Sequence, residues 1–398
     1  MYEFVAIQRP VRILSGLGAL DTLPHELARL GATRALVLCG RSVAETSGLI
    51  ERLRALLGER FAGVYAGIRK DAPVSCIEAA TAMAGELRAD VILAIGAGSV
   101  IKAARVVAML LAERAPLRTL CTQYRADAPP VSPKLLAAKL PIVNILTAAT
   151  SAQHRGGSAL KDDDTGERLE FFDPKTRPAV IVWDAAALMT APATLVRSTG
   201  FSVYWRALMN LGSIEQANPL VTGDRRQAFE LARGALRRAS ETSDYGARID
   251  LCAAALLQNR DEDDGGRPFD THRIARVVYA LAAPIFHQFE AIDQASTHAA
   301  LTPAAIRVHG HLCPEVIAAI GRAAGGDGIE GVEAVASNVA RHFAALGMPT
   351  RLRDLGVPRA ALPDLLAHAG RNFNADRDRE FIDAQERTRL ADTLDGAW

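Results

Sequence analysis

Short apolar runs alternate with amphipathic stretches through the first half of the chain. The apolar runs at 35–38 and 90–95 have the length of buried strands, and helical patterns occupy about 44–57 and 74–87. Strands that alternate with helices are typical of a parallel sheet whose crossover helices cover both faces. The sequence therefore predicts an α/β fold with a Rossmann-like parallel sheet in this half.

The second half has a different pattern. From about Asp184 onward strand signals fade, and stretches rich in Ala, Leu and Arg with helical period follow at 227–240 and 250–258. Single hydrophobic cores stop growing near ~250–300 residues, so a chain of 398 residues is expected to form two domains. We expect an α/β nucleotide-binding domain at 1–184 and an all-α domain at 185–398.

Charge indicates which partners are not expected, and cysteine content and hydropathy indicate the compartment. Lys and Arg number 46 against 45 Asp and Glu, so no overall charge recruits nucleic acid or an anionic membrane. The five cysteines form no Cys-x-x-Cys pair, and no run of 18 apolar residues or basic leader is present. We expect a cytoplasmic protein that is neither exported nor membrane-spanning. The charged stretches 161–168 and 261–267 are predicted to be exposed loops.

A glycine pair marks a candidate phosphate site. Gly96-Ala97-Gly98-Ser99 directly follows the second apolar run and opens a helical stretch. Glycines let the backbone approach a pyrophosphate closely, and the N–H groups and dipole of a helix start favour anions. By itself the motif is equally typical of a tight turn.

Six segments together resemble the iron-containing alcohol dehydrogenase family, of the dehydroquinate synthase-like superfamily, in its own order. They are 96–99, 145–154, 177–184, 198–206, 283–291 and 308–311. Residues 61–99 are most similar to maleylacetate reductases, which are members of that family. The resemblance covers nearly the whole chain. It implies an α/β domain followed by an all-α domain, a nicotinamide cofactor, and a divalent cation between the domains.

The metal-binding positions of the family are altered in this chain. Family members carry Asp and His four residues apart on one helix face, where this sequence has Ser202 and Arg206. A first histidine of the next segment corresponds to Ala283. A guanidinium has no lone pair to donate and repels a cation, and too few ligands remain for a catalytic metal. The sequence predicts a site with no bound metal.

The predicted catalytic residues are Ser202, Arg206, His287 and His309. Arg206 would supply fixed positive charge or bind a substrate carboxylate through its planar fork. A histidine would move the proton, since an unperturbed imidazole titrates near pH ~6.5. His298 competes with His309 for the last site position. We favour His309 because Gly310 follows it, as in the family.

The resemblance also implies a set of cofactor-binding positions. They are Gly40, Arg41, Ser42, Gly96, Ala97, Gly98, Ser99, Lys102, Thr147, Ser151 and Arg168. NAD-preferring relatives often place an Asp after the first apolar run, where this chain has Gly40-Arg41-Ser42. A 2′-phosphate is therefore not repelled, and we expect NADP at least as readily as NAD. Arg41 as a solvated helix-start residue stays an alternative.

We therefore predict a metal-independent, NAD(P)-dependent oxidoreductase. Its alcohol or carbonyl substrate would carry a carboxylate, as an oxo acid, a 3-hydroxy acid or a peptide C-terminus does. One such reaction is an oxidative decarboxylation in natural-product tailoring. The alternative is a catalytically silent nucleotide-binding or scaffolding subunit of a biosynthetic complex. Related enzymes often form homodimers. The aromatic residues Phe201, Tyr204 and Trp205 either wall the pocket or pack in the core.

Overall fold

A parallel six-stranded sheet forms the first half of the molecule in a computed structural model. The structure describes residues 4, 6–7, 9–125, 128–260, 272–325, 329–369, 372, 375–376 and 378–398. The strands are β1 (Arg12–Gly16), β2 (Ala35–Cys39), β3 (Phe61–Tyr65), β4 (Val91–Gly96), β5 (Ile142–Leu146), β6 (Gly157–Lys161), β7 (Arg168–Phe172) and β8 (Val180–Asp184). The sheet order is β1-β8-β5-β4-β2-β3, with all neighbours parallel, as the sequence predicts.

Helices cover both faces of this sheet. They are α1 (Leu23–Arg29), α2 (Arg41–Thr46), α3 (Leu49–Leu57), α4 (Val74–Glu86), α5 (Gly98–Glu113), α6 (Leu117–Leu120) and α7 (Ala185–Met189). Successive side chains of a strand point to opposite faces, so Leu36 and Leu38 pack in one core and Val37 and Cys39 in the other. The first core includes α4 and α5, and the second includes α1 and α3.

The carboxyl ends of the central strands form the edge where a ligand is expected. The β2–β3 connection uses α3 on one face, whereas the β4–β5 connection uses α5 on the other. Strands β2 and β4 lie side by side with Cys39 opposite Ile95, so the chain leaves them in opposite directions. In open α/β sheets such a switch point is the usual ligand crevice.

An antiparallel hairpin, β6–β7, lies beside the sheet and contains the first predicted loop. Residues 163–167 of the predicted loop 161–168 are exposed and lie outside the strands, as expected, whereas Lys161 and Arg168 are the paired end residues of the two strands. Asp162 is buried and accepts hydrogen bonds from Arg118. The charges of this stretch therefore face protein as well as solvent. The second predicted loop, 261–267, lies outside the described residues.

In the part of the chain that the structure describes, the last strand is followed not by further strands but by helices. They are α7, already described, α8 (Ala193–Leu211), α9 (Pro219–Glu241), α10 (Tyr245–Leu257), α11 (Arg273–Gln288), α12 (Gln294–His309), α13 (Pro314–Gly325), α14 (Val332–Ala345), α15 (Leu362–Ala369) and α16 (Ala384–Ala397). The predicted helices at 227–240 and 250–258 correspond to α9 and α10. None of the helices in the described part of the chain is long and apolar enough to span a membrane.

Asp184 joins the sheet to the first of these helices. Its buried carboxylate accepts hydrogen bonds from the backbone N–H of Ala187, which caps α7, and from that of Leu20, at 3.1 and 2.9 Å. Arg52 lies 3.4 Å from the same carboxylate. One side chain thus satisfies two backbone donors where the chain leaves the sheet.

We predict that Asp184→Ala lowers the free energy of unfolding by about 2–4 kcal/mol, because it removes a helix cap and leaves a second buried N–H unpaired. The matched control is Asp244→Ala, which removes the cap of α10 at a partly exposed position and is expected to cost about 1 kcal/mol. Urea unfolding measures both. Equal losses in the two variants would contradict the dual role of Asp184.

Candidate functional site between the sheet and the helices

The glycine segment forms a tight junction between β4 and α5. Gly96 has φ +156°, and a Cβ there would lie 2.8 Å from a Val100 methyl. Gly98 begins α5, and a Cβ on it would lie 3.4 Å from Thr150 Oγ1. A side chain at Gly96 would displace the helix start, so this junction requires glycine. The first N–H groups of α5 are thereby presented at the carboxyl edge of the sheet.

A second loop, residues 147–151, packs against this junction. The backbone N–H of Thr147 donates to the carbonyl of Gly96 at 3.1 Å, and Thr150 contacts Gly98. The carbonyl of Ser151 accepts from Asn259 Nδ2, at the end of α10, at 2.9 Å. The structure therefore brings together the predicted cofactor residues of both loops and ties them to the helical half.

Arg206 lies one turn beyond Ser202 on α8 and is buried, while Ser202 is partly buried. Its Nη2 donates to the backbone carbonyl of Gln258 at 3.3 Å. The amide of Gln258 in turn donates to the carbonyl of Val203 at 2.8 Å. Since Asn259 follows Gln258, one short segment connects Arg206 to Ser151 in the loop 147–151, which we call the cofactor loop.

The residues that were predicted to stand in place of the family's metal ligands do not fit a metal. Arg206 puts a buried positive charge on the helix face where Ser202 also lies, and Ala283 on α11 provides no ligand atom. Within the described residues, no group of three His, Cys, Asp or Glu side chains is arranged to hold a metal ion. This donor set gives an inner-sphere ion too few ligands.

His287 lines a pocket of about 160 Å³ between α11, the β3–α4 loop and the β6–β7 hairpin. The other lining residues are Arg69, Lys70, Asp71, Pro73, Lys161, Asp163 and Glu290. Burial lowers the pKa of His287 well below its usual value, and the positive charges of Arg168, Lys102 and Lys161 lower it further. The Ala283 carbonyl, which hydrogen-bonds to the ring, acts in the opposite direction. At neutral pH His287 is an uncharged imidazole in a positive field.

Two predicted cofactor residues contribute to this field. Burial lowers the pKa of Lys102 to about 8, although nearby Asp71 favours its charged form. Burial disfavours a charged Arg168 as well, but Glu170, 2.9 Å away, together with Tyr279 and Tyr124 outweighs burial and raises the pKa of the guanidinium. Both side chains are cationic at pH 7. An anionic group is therefore favoured beside His287.

The β3–α4 loop was not predicted as part of the site. Asp71 and Ala72 have φ +58° and +50°, a conformation that costs energy for residues other than glycine. Asp71 is held on both sides, since its N–H donates to Ser99 Oγ and its carbonyl accepts from the N–H of Lys161, each at 3.1 Å. The preceding residue, Lys70, donates to the Ile292 carbonyl at 2.8 Å. Two consecutive left-handed residues carry no clear sequence signal.

The segment Gly40-Arg41-Ser42 lies at the end of β2, beside the end of β4. Arg41 begins α2 and is exposed, with Glu45 of the same helix 3.4 Å away. An exposed pair of this kind contributes little and holds the guanidinium weakly. The position is compatible with 2′-phosphate binding and with the solvated alternative.

The two candidate histidines for the last site position have different surroundings. The His298 ring is fully buried against Trp205, with ring centroids 4.0 Å apart, and thus lies beside the helix that carries Arg206. His309 lies about 16 Å further along α12, given the helical rise of ~1.5 Å per residue. Its Nδ1 accepts from Arg273 at 3.0 Å, and its Nε2 lies 3.1 Å from Thr393 Oγ1. The structure does not bring His309 to the pocket, so its position does not support our preference over His298.

The aromatic residues of α8 pack mainly in the helical core. Phe201 makes an edge-to-face contact with Phe343 at 5.0 Å between centroids, and Tyr204 packs 5.8 Å from Phe229. Both are buried. For these two residues the structure supports the packing alternative. Trp205, which precedes Arg206, packs against the ring of His298.

Residues 10–185 match the family described as iron-containing alcohol dehydrogenase. The predicted resemblance to this family is confirmed. Maleylacetate reductase of Sphingobium indicum is 25% identical over 371 residues, which cover 93% of this chain and 92% of that protein. Long-chain-alcohol dehydrogenase 1 of Geobacillus thermodenitrificans is 27% identical over 364 residues, covering 89% and 87% respectively.

Solved structures show the same fold. NADH-dependent butanol dehydrogenase A of Thermotoga maritima superposes with a TM-score of 0.82 at 18% identity, covering 99% of this chain and 98% of that chain. The α/β sheet followed by a helical half is therefore the architecture of these enzymes. The chain is thus similar in sequence to maleylacetate reductases and alcohol dehydrogenases, and similar in fold to a solved dehydrogenase.

We predict that Gly96→Ala weakens binding of NADH or NADPH at least tenfold, because the added methyl would lie against Val100 and strain the junction that presents the start of α5. Gly234→Ala, inside α9 where nothing surrounds the added methyl, is the matched control. Titration of reduced-cofactor fluorescence measures both. Unchanged affinity in Gly96→Ala would contradict a phosphate site at this junction.

Stability should fall steeply as the pH falls below about 6.5. Burial lowers the pKa of His272 to about 4, of His298 and His309 to about 3, and of His287 well below its usual value. Near pH 5 the unfolded chain binds these protons and the native state does not, so each histidine contributes up to about 1.4 kcal/mol per pH unit. Urea unfolding from pH 7.5 to 5 measures the slope.

The control for this prediction is His298→Phe. The ring nitrogens of His298 make no hydrogen bond within the described residues, so phenylalanine removes one titrating group without breaking a bond. The slope near pH 5 should decrease by about 1.4 kcal/mol per pH unit. An unchanged slope in this variant would show that His298 is protonated in the folded protein.

Proposed function

We propose that the protein is an NAD(P)-dependent oxidoreductase that binds the carboxylate of its substrate with Arg206 and moves the proton with His287, without a metal ion. The observation that carries this proposal is the buried guanidinium on α8, connected to the cofactor loop through Gln258 and Asn259. A planar guanidinium fork matches a carboxylate and keeps its charge at any physiological pH. The substrate is then placed beside the cofactor loop, residues 147–151, which would line the nicotinamide half of the cofactor.

The cofactor site fits a dinucleotide. Gly96 leaves no room for a side chain at the junction, and the start of α5 offers N–H groups and a positive dipole to a pyrophosphate. Thr147 and Ser151 would line the nicotinamide half, and Lys102 and Arg168 would add positive charge. When bound, the cofactor supplies the hydride acceptor or donor. Arg41 would bind the 2′-phosphate of NADP.

His287 is suited to accept a proton from an alcohol. Its lowered pKa keeps it neutral at pH 7, so a nitrogen lone pair is available. A substrate carboxylate near the pocket would offset the positive charges of Lys102 and Lys161 and raise the pKa of the imidazolium formed. Binding of the anion and proton abstraction thus support each other.

A 3-hydroxy acid is a substrate class that this site would serve without a metal. Oxidation removes a hydride from carbon and a proton from oxygen, which leaves a 3-oxo acid. Such an acid loses carbon dioxide readily, as in the oxidative decarboxylation of a peptide C-terminus. The positive charge of Arg206 would take over the electrostatic role that a Lewis-acidic ion has in related sites.

The test first measures cofactor binding and metal content. Oxidation of a panel of 3-hydroxy acids and N-acylthreonines is then monitored through the absorbance of the reduced cofactor. We expect activity that survives a chelator. Arg206→Lys should lower kcat/KM by about 10²–10³-fold, because the fork is lost although the charge is kept. His287→Gln should lower kcat with little effect on cofactor affinity.

The matched control is Arg225→Lys, which makes the same exchange at a buried arginine that donates to the Ser213 carbonyl. It should leave kcat/KM unchanged. Loss of activity on chelation, with recovery on addition of iron or zinc, would overturn the metal-free proposal. Absence of cofactor binding would instead favour the scaffolding alternative.

A further inference from the structure

Two consecutive amide side chains at the end of α10 are buried beside Arg206. Gln258 and Asn259 are each about 1% exposed. Their orientations are fixed, since Gln258 Nε2 donates to the Val203 carbonyl and Asn259 Nδ2 donates to the Ser151 carbonyl. A backbone carbonyl only accepts hydrogen bonds, so the NH₂ groups must point to these partners and not the oxygens.

Both amide oxygens consequently point elsewhere. Gln258 Oε1 and Asn259 Oδ1 have no hydrogen-bond partner among the described residues, although both are inaccessible to solvent. Nearly all buried polar atoms in native proteins are satisfied, so two unpaired acceptors in adjacent residues require an explanation. The α10 end is also the segment that connects Arg206 to the cofactor loop.

We propose that Gln258 and Asn259 determine specificity by accepting hydrogen bonds from donor groups of the substrate next to its carboxylate. This inference rests on the proposed function, in which Arg206 binds that carboxylate. Both amides belong to the segment whose backbone Arg206 contacts, so the proposal places the donors that they bind next to the carboxylate. An amide N–H satisfies one oxygen, and the substrate hydroxyl donates to the other on binding and turns about its C–O bond to His287 when its proton is abstracted.

The proposal distinguishes among carboxylate substrates. A 3-hydroxy acid has one donor near the carboxylate, and a peptide C-terminus with a 3-hydroxyl has two, an O–H and an amide N–H. An oxo acid has none, and its oxygen would face the oxygens of Gln258 and Asn259. A site built to bind a donor rejects the analogue that lacks it, because the buried acceptor stays unpaired. The enzyme should therefore act on hydroxy acids in the oxidative direction.

One other buried amide shows that an unpaired oxygen alone does not define a ligand site. Asn144 in β5 donates to the Gln153 carbonyl and also leaves its Oδ1 unpaired. It lies within the sheet, with no guanidinium contacting its backbone. Asn144 is therefore a suitable control, since it matches Asn259 in burial and bonding but not in place.

The experiment measures binding of three carboxylates to the cofactor-loaded wild-type protein by calorimetry. Butyrate has no donor, 3-hydroxybutyrate has one, and N-acetylthreonine has two. We expect affinity to increase about tenfold with each donor, which corresponds to about 1.4 kcal/mol. N-acetyl-N-methylthreonine, which lacks the N–H, separates the amide from the hydroxyl. This ligand series needs no variant and is independent of whether any variant folds.

Variants assign the effect to residues. In Gln258→Met and Asn259→Leu the gain from donors, measured as each ligand's affinity relative to that of butyrate for the same variant, should disappear, and Asn144→Leu should keep the gain. Equal binding of all three carboxylates to the wild type would overturn this inference and leave the proposed function standing. If no carboxylate binds, or Arg206→Ala leaves their binding unchanged, the proposed function itself fails.

Discussion

Buried backbone carbonyls that must find donors determine the form of this site. The carbonyls of Ser151 and Gln258 lie outside helices and strands and accept from the side chains of Asn259 and Arg206, and the carbonyl of Val203, within α8, accepts from Gln258. An unpaired buried carbonyl costs about 1–3 kcal/mol, so these bonds are hard to break. They fix the orientation of the Gln258 and Asn259 amides and of the Arg206 guanidinium. The positions of these three side chains relative to the cofactor loop therefore depend on these bonds.

The second constraint is electrostatic. His287 lies among the positive charges of Lys102, Lys161 and Arg168. Nearby carboxylates offset part of this charge, since Asp163 lies 3.5 Å from Arg69 and Glu170 is paired to Arg168, while Asp71 and Glu290 also line the pocket. A ligand that supplies negative charge would reduce the remaining repulsion between the cations. Cofactor phosphates or a substrate carboxylate would supply it. The positive field at His287 and the buried guanidinium of Arg206 are thus both suited to anionic ligands.

Much of the architecture was predictable because it follows from local pattern. Buried parallel strands are apolar runs in the sequence. The residue types of Gly96-Ala97-Gly98-Ser99 predict a tight junction between β4 and α5, with or without a bound phosphate. The β3–α4 loop was not predictable, because the left-handed conformations of Asp71 and Ala72 are imposed by contacts with Ser99 and Lys161 from distant segments. A role for Gln258 and Asn259 was not predicted either, because it depends on their contacts with Val203 and Ser151, which are distant in the sequence.

The structure does not favour His309 over His298 in the way that the resemblance to the family does. The glycine that follows His309 favoured it, yet Arg273 and Thr393 occupy both ring nitrogens in a network between α11, α12 and α16. A histidine in such a network stabilises helix packing, whereas His298 contacts Trp205 and stays near Arg206. The charges and hydrogen-bond acceptors around Arg206 come from segments that are distant in the sequence, so their geometry is visible only in the folded chain.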